Sequence, residues 1–383
     1  MGKSFFSLGL MSGTSMDGVD ASVIQSDGEK KYKIILDKYY KYPNAIYKNL
    51  TKIRNKIKSS KDLKKFSKEL KFLEKRITLF HANKANEIIR KNNINIKFIG
   101  FHGQTIFHNA KEKISKQLGD GKFLSKLTKK IVVYNFRKND LKNGGQGAPL
   151  TPIFHKLIVN KKRIPLPVII LNIGGIANLT SINKKNKMFS FDIGPGNCLI
   201  DECVRSNFNN KKYDKDGKIA KSGKVDLILL KKLMKAFYKI KIKNKLSFDI
   251  KDFNLPINKY FSKEDKVATL TEFTGKVIAQ EIKDHLKLTT KFHGNQNLYK
   301  ILTCGGGRKN KTLMKIIDKE FSNNKNILAD KVKPIDAYKI NGDFVESQAF
   351  AYLSIRSFLK LPISFPQTTG VKKSCSGGEI LNA

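Results

Sequence analysis

The stretch GLMSGTSMDGVD, residues 9–20, crowds Gly9, Gly13 and Gly18 together with Ser12, Thr14, Ser15, Asp17 and Asp20 between two apolar runs. Phe5 to Met11 is apolar enough for a buried strand, and Val19, Ala21 and Val23 alternate with Asp20 and Ser22 as a half-exposed strand does. The glycines therefore fall in a strand-to-strand turn. Gly, Ser and Thr let backbone N–H groups and small hydroxyls approach an anion closely, phosphate above all. The same residues also suit an ordinary tight hairpin. Taken alone, the stretch leaves both readings open.

Working outward, residues 19–25 and 32–37 continue as short strands after the first. Leu63, Phe66, Leu70, Leu73, Ile77 and Phe80 recur at three- and four-residue spacing, which predicts one long helix with a core-facing stripe and lysines opposite. INIKFIGFHGQT predicts a strand from Ile94 to Phe101 ending in a polar, Gly-containing loop, and KIVVYN predicts another at 130–135. The second half then repeats the opening. PVIILNIGGIANLTSI reads as a strand from Val168 to Ile173, a Gly174-Gly175 turn and a strand from Ile176, and KMFSFDIGPGN supplies a third strand running into Asp192. Two such turns in equivalent half-molecules point to a shared polyphosphate rather than to two unrelated hairpins. KILTCGGGRKN, residues 300–310, predicts a strand ending in three glycines before a helix from Lys311, a bare surface for a ring or phosphate. VESQAFAYLSIRSFLK, 345–360, reads as an amphipathic helix with Glu346 at its positive end, returning the chain to the first domain.

The 383 residues, 40% hydrophobic, suffice for two domains. No apolar run approaches the roughly 20 residues of a membrane span, and the N-terminus lacks a secretory h-region, so the expectation is a cytoplasmic protein without a membrane partner. Cys198, Cys203, Cys304 and Cys375 lack paired C-x-x-C spacing and read as reduced packing residues. The net charge of +43, from 75 basic and 32 acidic side chains, invites a nucleic-acid role. Its distribution argues against one: lysine far outnumbers the bidentate reader arginine, and the lysines are scattered along the whole chain.

In order, GTSMDGVD, GFHGQT, GGQGAPL, NIGGIANLT, FDIGPGN, YDKDG, CGGGRKN, ESQAFAYL and TTG span Gly13 to Gly370. With Gly9 just ahead of them, the run resembles the anhydro-N-acetylmuramic acid kinases, part of the actin and hexokinase ATPase superfamily. The resemblance implies an α/β fold of two actin-like (ribonuclease H-like) domains of mixed sheet with flanking helices, facing across an ATP and substrate cleft. Domain I would comprise residues 1–135 and 355–383, and domain II residues 136–354. The implied reaction uses ATP and Mg²⁺ to open the 1,6-anhydro ring of anhydro-N-acetylmuramic acid with water and to phosphorylate O6, in cell-wall recycling. A homodimer is also a family expectation.

For single residues the resemblance implies that Gly13, Thr14, Ser15, Met16, Asp17, Gly18, Val19 and Asp20, with Gly174 and Gly175, surround the ATP phosphates. Gly305, Gly306 and Gly307 would pack against the adenosine. Asp192 is the candidate base that activates water, and Glu346 is a second catalytic candidate. His102, Gln104, Thr105, Asn135, Arg137, Gly194, Gly196 and Asn197 would meet the sugar, with Arg137 facing the lactyl carboxylate. The loop Gly144, Gly145, Gln146 and Gly147 would line the sugar pocket or form a sharp interdomain turn. Three departures stand out. Met11 occupies a place where many relatives in the superfamily carry Asp, which leaves Asp17 as the metal candidate. Asn135 replaces an Asp, and Leu246 and Ile250 stand where the family carries Lys and Arg. These departures keep open another sugar or acyl-group kinase of the superfamily with a shifted acceptor. A nucleotide-dependent binding protein whose output is domain closure is the non-enzymatic alternative.

Overall fold

The computed structural model describes residues 3–243, 247–253, 262–293, 298–322 and 331–382, and Leu246 lies outside them. Two units result: Met1–Arg163 with Asp343–Ala383, and Ile164–Gly342. In the first unit, β1 (Phe5–Ser12), β2 (Gly18–Ser26) and β3 (Tyr32–Lys41) form an antiparallel meander. Strand β4 (Ile96–Asn109) runs parallel to β1, and β6 (Ile131–Tyr134) runs parallel to β4. The short β5 (Ile114–Leu118) folds back on β4. In the second unit, β7 (Val168–Ile173), β8 (Ile176–Ile182) and β9 (Met188–Pro195) form the same meander. There β10 (Lys300–Cys304) runs parallel to β7, and β11 (Lys333–Pro334) runs parallel to β10. Strand order 3-2-1-4-5 with the same pairing senses thus occurs twice. This is the ribonuclease H-like topology that the resemblance implies, and the repeated strand, glycine turn and strand mark its two copies. The first sheet gains one more edge strand, β12 (Glu379–Leu381), antiparallel to β6.

Helices α1 (Asn44–Lys56), α2 (Ser60–Lys65), α3 (Ser67–Lys91), α4 (Gly121–Thr128), α5 (Phe136–Lys142) and α6 (Pro152–Lys161) belong to the first unit. The second carries α7 (Cys198–Asn207), α8 (Lys218–Ser222), α9 (Leu227–Lys243), α10 (Lys263–His293) and α11 (Lys311–Ser322). The chain re-enters the first unit at α12 (Val345–Phe358) and the short α13 (Pro366–Thr369). Among these helices none is long and apolar enough, over the described residues, to cross a membrane.

Four expectations change. The helix expected over 63–80 is two helices broken at Phe66, whose ψ of 22° and φ of −101° leave the helical region. Strand β4 does not stop at Phe101: residues 104–109 pair with β5, and a left-handed Gly103 (φ 73°) absorbs the irregularity, so His102, Gln104 and Thr105 lie within a strand. Helix α12 is not amphipathic. Val345 and every residue from Ser347 to Ser357 are buried, because the helix packs on β1, β2 and β4 and also touches β6 and α6. The expected boundaries at 135 and 355 also move, since 136–163 and 343–354 pack with the first sheet.

The contact between α12 and the sheet is backbone to backbone. A Cβ at Gly9 would run into the Ser347 carbonyl, and one at Gly100 into the Phe350 carbonyl. Polar side chains then fix the register. Ser7 Oγ meets Ser354 Oγ at 2.7 Å and Ser22 Oγ meets Ser347 Oγ at 2.6 Å. Gln348 Nε2 donates to both Asp37 oxygens at 3.0 and 2.9 Å. We expect Gly9→Ala to destabilise the protein by about 3 kcal/mol or to prevent folding, since neither backbone can yield. Gly13→Ala, one turn further on, should melt like the wild type in the same denaturant titration.

Candidate active site

In the first unit the β1–β2 hairpin carries the candidate phosphate loop. Met16 sits at a left-handed φ of 59° with its side chain driven into the core beside Leu10 and Val19. That plug anchors the loop tip. Ser12 Oγ contacts Tyr42 OH at 2.7 Å and His81 Nε2 at 3.2 Å. Burial holds His81 near pKa 4 and hence neutral. Three loop carbonyls are tied back by donors from three other elements. Gly13 O accepts from Gln104 Nε2 at 2.9 Å, Thr14 O from Arg54 Nη1 at 3.0 Å, and Asp17 O from the Tyr42 N–H at 2.8 Å. In a trans peptide the N–H points opposite to the preceding carbonyl. The Thr14 and Ser15 N–H groups are therefore aimed away from Gln104 and Arg54. Ser15 Oγ donates to Asp17 Oδ1.

Beside this loop the first unit gathers carboxylates. Burial, and then the charges of Glu346, Asp17, Asp343 and Asp37, push the Asp20 carboxyl up to about 8. Asp37 is also raised by burial, against hydrogen bonds from Ser22 and Gln348. Among the described residues no group of three or more His, Cys, Asp or Glu is arranged to hold a metal ion.

A second polar group builds on β4 and α5. His102 is 5% exposed, with Nδ1 on the Gly103 carbonyl at 2.9 Å and Nε2 receiving Arg137 at 3.1 and 3.3 Å. Burial and the adjacent Arg137 charge hold it at about 3. His102 is therefore a neutral acceptor that orients Arg137, whose Nη1 also donates to Gly147 O at 3.1 Å. Asp140 Oδ1 receives the Gly147 N–H at 2.6 Å and so shapes the Gly144–Gly147 loop. Thr105 Oγ1 accepts from Gln117 at 3.3 Å. Asn135 occupies a left-handed φ of 54°, which Asn tolerates well, and its Nδ2 donates to Glu379 Oε2 at 3.1 Å. An Asp at this position would face Glu379 with like charge. Gln104 is fully buried, and its Oε1 has no hydrogen-bond partner among the described residues.

In the second unit backbone N–H groups hold the β7–β8 turn, and Asn197 Nδ2 adds a side-chain donor to Ile173 O at 3.5 Å. Gly174 O accepts from Asn197 N at 2.8 Å, and Gly175 O from Gly196 N at 2.9 Å and Cys198 N at 3.2 Å. Gly196 is required there, because a Cβ would strike the Gly174 carbonyl. Gly194 is required where β9 passes under Val277 of α10 and Phe237 of α9. Asp192, 9% exposed on β9 and opposite Asn178 of β8, receives the Phe248 N–H on Oδ2 at 3.0 Å. Ile250 lies in the short 3₁₀ turn that follows. In YDKDG, Asp214 is a structural cap whose carboxylate accepts the Ile219 and Ala220 N–H groups.

The loop glycines now separate into two kinds. Gly18 is bare because Tyr39 and Tyr40 press on it, and Gly305 and Gly307 because Asn172 and Ile173 do. A Cβ at Gly13 would meet nothing nearer than 3.9 Å, at Gly174 nothing nearer than 3.5 Å, and at Gly306 nothing within 4 Å. None of these three has a positive φ in the glycine region. Neither packing nor backbone conformation calls for glycine there, which leaves close approach by something outside the protein. The sites thus fit a nucleotide on observed geometry. Sequence reasoning missed Arg54, Tyr42, Asp37 and Asp343. Arg54 lies in a lysine-rich helix that reads as a solvated face, and the other three gain meaning only from tertiary contacts.

A family model described as anhydro-N-acetylmuramic acid kinase matches residues 5–383. The chain is 54% identical to the anhydro-N-acetylmuramic acid kinase of Pelagibacter ubique strain HTCC1062, covering 100% of this chain and 99% of that one. It is 37% identical to the namesake from Zymomonas mobilis (97% and 98% covered) and 34% identical to that from Agrobacterium fabrum (100% of both). A solved hexokinase from Schistosoma mansoni complexed with glucose aligns at 8% identity over 91% of this chain and 85% of that chain, with a TM-score of 0.40.

Two outcomes follow from the site. Gly13→Ala and Gly306→Ala should keep the wild-type melting temperature yet raise the ATP KM about tenfold; unchanged ATP KM values would refute the assignment of these glycines. Asp20 holds its proton in the folded chain up to about pH 8 but loses it near 3.8 when unfolded. The folded state binds more protons in that window, so stability falls as pH rises through it. Asp20→Asn should flatten this dependence and melt higher than the wild type above pH 8, as followed by thermal denaturation across pH.

Proposed function

This chain belongs to the anhydro-N-acetylmuramic acid kinase family, and from that premise we propose that it converts 1,6-anhydro-N-acetylmuramic acid, ATP and water into N-acetylmuramic acid 6-phosphate and ADP. The observation that carries the nucleotide half of this reading is the set of glycines, Gly13, Gly174 and Gly306, that nothing inside the protein requires. The Thr14 and Ser15 N–H groups, aimed away from Gln104 and Arg54, would bind phosphate. Mg²⁺, held by phosphate oxygens with Asp17 as a carboxylate ligand, would neutralise charge on the transferring group.

Asp192 takes the proton of the attacking water as that water bonds to the anomeric carbon. The bond from that carbon to O6 breaks, and the freed O6 attacks the γ-phosphorus while ADP leaves. The Phe248 N–H on Oδ2 fixes the carboxylate in place. Arg137, oriented by neutral His102 and the Gly147 carbonyl, meets the lactyl carboxylate. Gln104 Oε1 accepts from a sugar N–H or O–H; a fully buried amide oxygen without a partner otherwise costs about 1–3 kcal/mol. Glu346, at the start of α12 and electrostatically coupled to Asp20, acts on the sugar side. Such a kinase serves cell-wall recycling in the cytoplasm and works as a homodimer.

The reading is tested by incubating the protein with ATP, Mg²⁺ and the anhydro sugar and following product by mass spectrometry. A phosphosugar heavier than the substrate by one water and one phosphoryl group is expected; phosphorylation of a different acceptor only would overturn it. Asp192→Asn should fold and bind ATP but lose about 10²- to 10⁴-fold in turnover.

A further inference from the structure

The two turns are built to the same plan but held by different means. In the β7–β8 turn the Gly174 carbonyl receives the Asn197 N–H, and the Gly175 carbonyl receives the Gly196 and Cys198 N–H groups. Side-chain substitution cannot remove those donors. In the β1–β2 hairpin the Gly13 and Thr14 carbonyls receive side-chain donors, Gln104 and Arg54. Arg54 sits half-buried in the last turn of α1, 40 residues beyond Thr14. A cation is favoured by the helix dipole at that position. Its guanidinium keeps its charge and its donors at any working pH.

We propose that Arg54 is a positioning residue of the nucleotide site: by capturing the Thr14 carbonyl it sets the Thr14–Ser15 peptide so that the Ser15 N–H faces the ATP phosphates. This inference rests on the reading that the hairpin binds ATP. Without the guanidinium, the Thr14–Ser15 peptide loses a donor that opposes its rotation. The anhydro sugar does not depend on this peptide, so its binding is left alone.

The test measures binding of a non-hydrolysable ATP analogue by calorimetry, together with steady-state KM values for ATP and sugar. The proteins compared are the wild type, Arg54→Leu, Arg54→Gln, Arg54→Lys, Gly13→Ala and the exposed control Lys52→Leu on the same helix. Arg54→Leu should weaken the analogue and raise the ATP KM at least about tenfold, with the sugar KM within about twofold. Arg54→Gln, which keeps a donor, and Arg54→Lys, which keeps the charge, should each recover part of the loss, and Lys52→Leu should match the wild type. If Arg54→Leu does not fold, the Gln and Lys variants carry the same comparison. ATP binding unchanged in the Arg54 variants while Gly13→Ala is weakened would overturn this inference and leave the nucleotide reading standing. Equal losses for ATP and sugar would reduce Arg54 to a general structural role and overturn the inference as well. A wild type that binds no analogue would overturn both.

Discussion

Everything in the first unit hangs on α12 lying with its backbone directly against β1 and β4. At Gly9 and Gly100 there is no room for even a methyl group between sheet and helix. Where the backbones meet, small hydroxyls and one amide seal the contact, Ser7–Ser354, Ser22–Ser347 and Asp37–Gln348, and to either side Met11 clusters with Phe350 and Leu353 and Phe5 and Phe98 with Ile355. A buried polar network specifies one register, because a slip of one residue would leave several of its members without partners. That register brings Asp343 and Glu346, at the start of α12, close enough to Asp20 for their charges to act on it. The acidic group beside the phosphate hairpin is thus a product of helix docking.

The topology was legible because it is written twice. Apolar runs flanking glycine turns recur at residues 5–26 and 168–182, and both fold into the same meander. What escaped was information that one-dimensional pattern does not hold. SQAFAYLSIRS reads as a mixed helix face, but Ser347, Gln348 and Ser354 are buried and find partners on the sheet, and buried Ser357 donates to the Leu353 carbonyl of its own helix. The end of β4 was hidden because GFHGQT looks like a loop, whereas Gly103 is the irregularity that lets the strand continue. Asn135 looked like a lost substrate contact until its partner Glu379, supplied by the last strand, was in place. Glycines are the sharpest case: Gly9, Gly13 and Gly18 are identical letters within ten residues, yet two serve the protein's own packing and one does not.

The charge of +43 is also less uniform than it looks. Lysines are spread over solvated faces, and pairs such as Lys38 and Lys84 on Glu87 are surface features of small individual value. Where chemistry is expected the balance changes: carboxylates gather around Asp20, and the cations close at hand are arginines held by defined acceptors, Arg54 on Thr14 and Arg137 on His102 and Gly147. Arginine suits those places because its planar fork stays charged and can satisfy several acceptors at once. The overall charge therefore says little about the reaction, and a few directed side chains say most of it.

The left-handed Met16 has a consequence of its own. Its side chain is a member of the main hydrophobic cluster of the first unit, so the tip of the hairpin cannot peel away without opening that cluster. A loop of this kind does not behave as a floppy flap that melts before the rest. Its ordering belongs to the same cooperative transition as the sheet, so amides at the hairpin tip should exchange with solvent only as the unit's core opens.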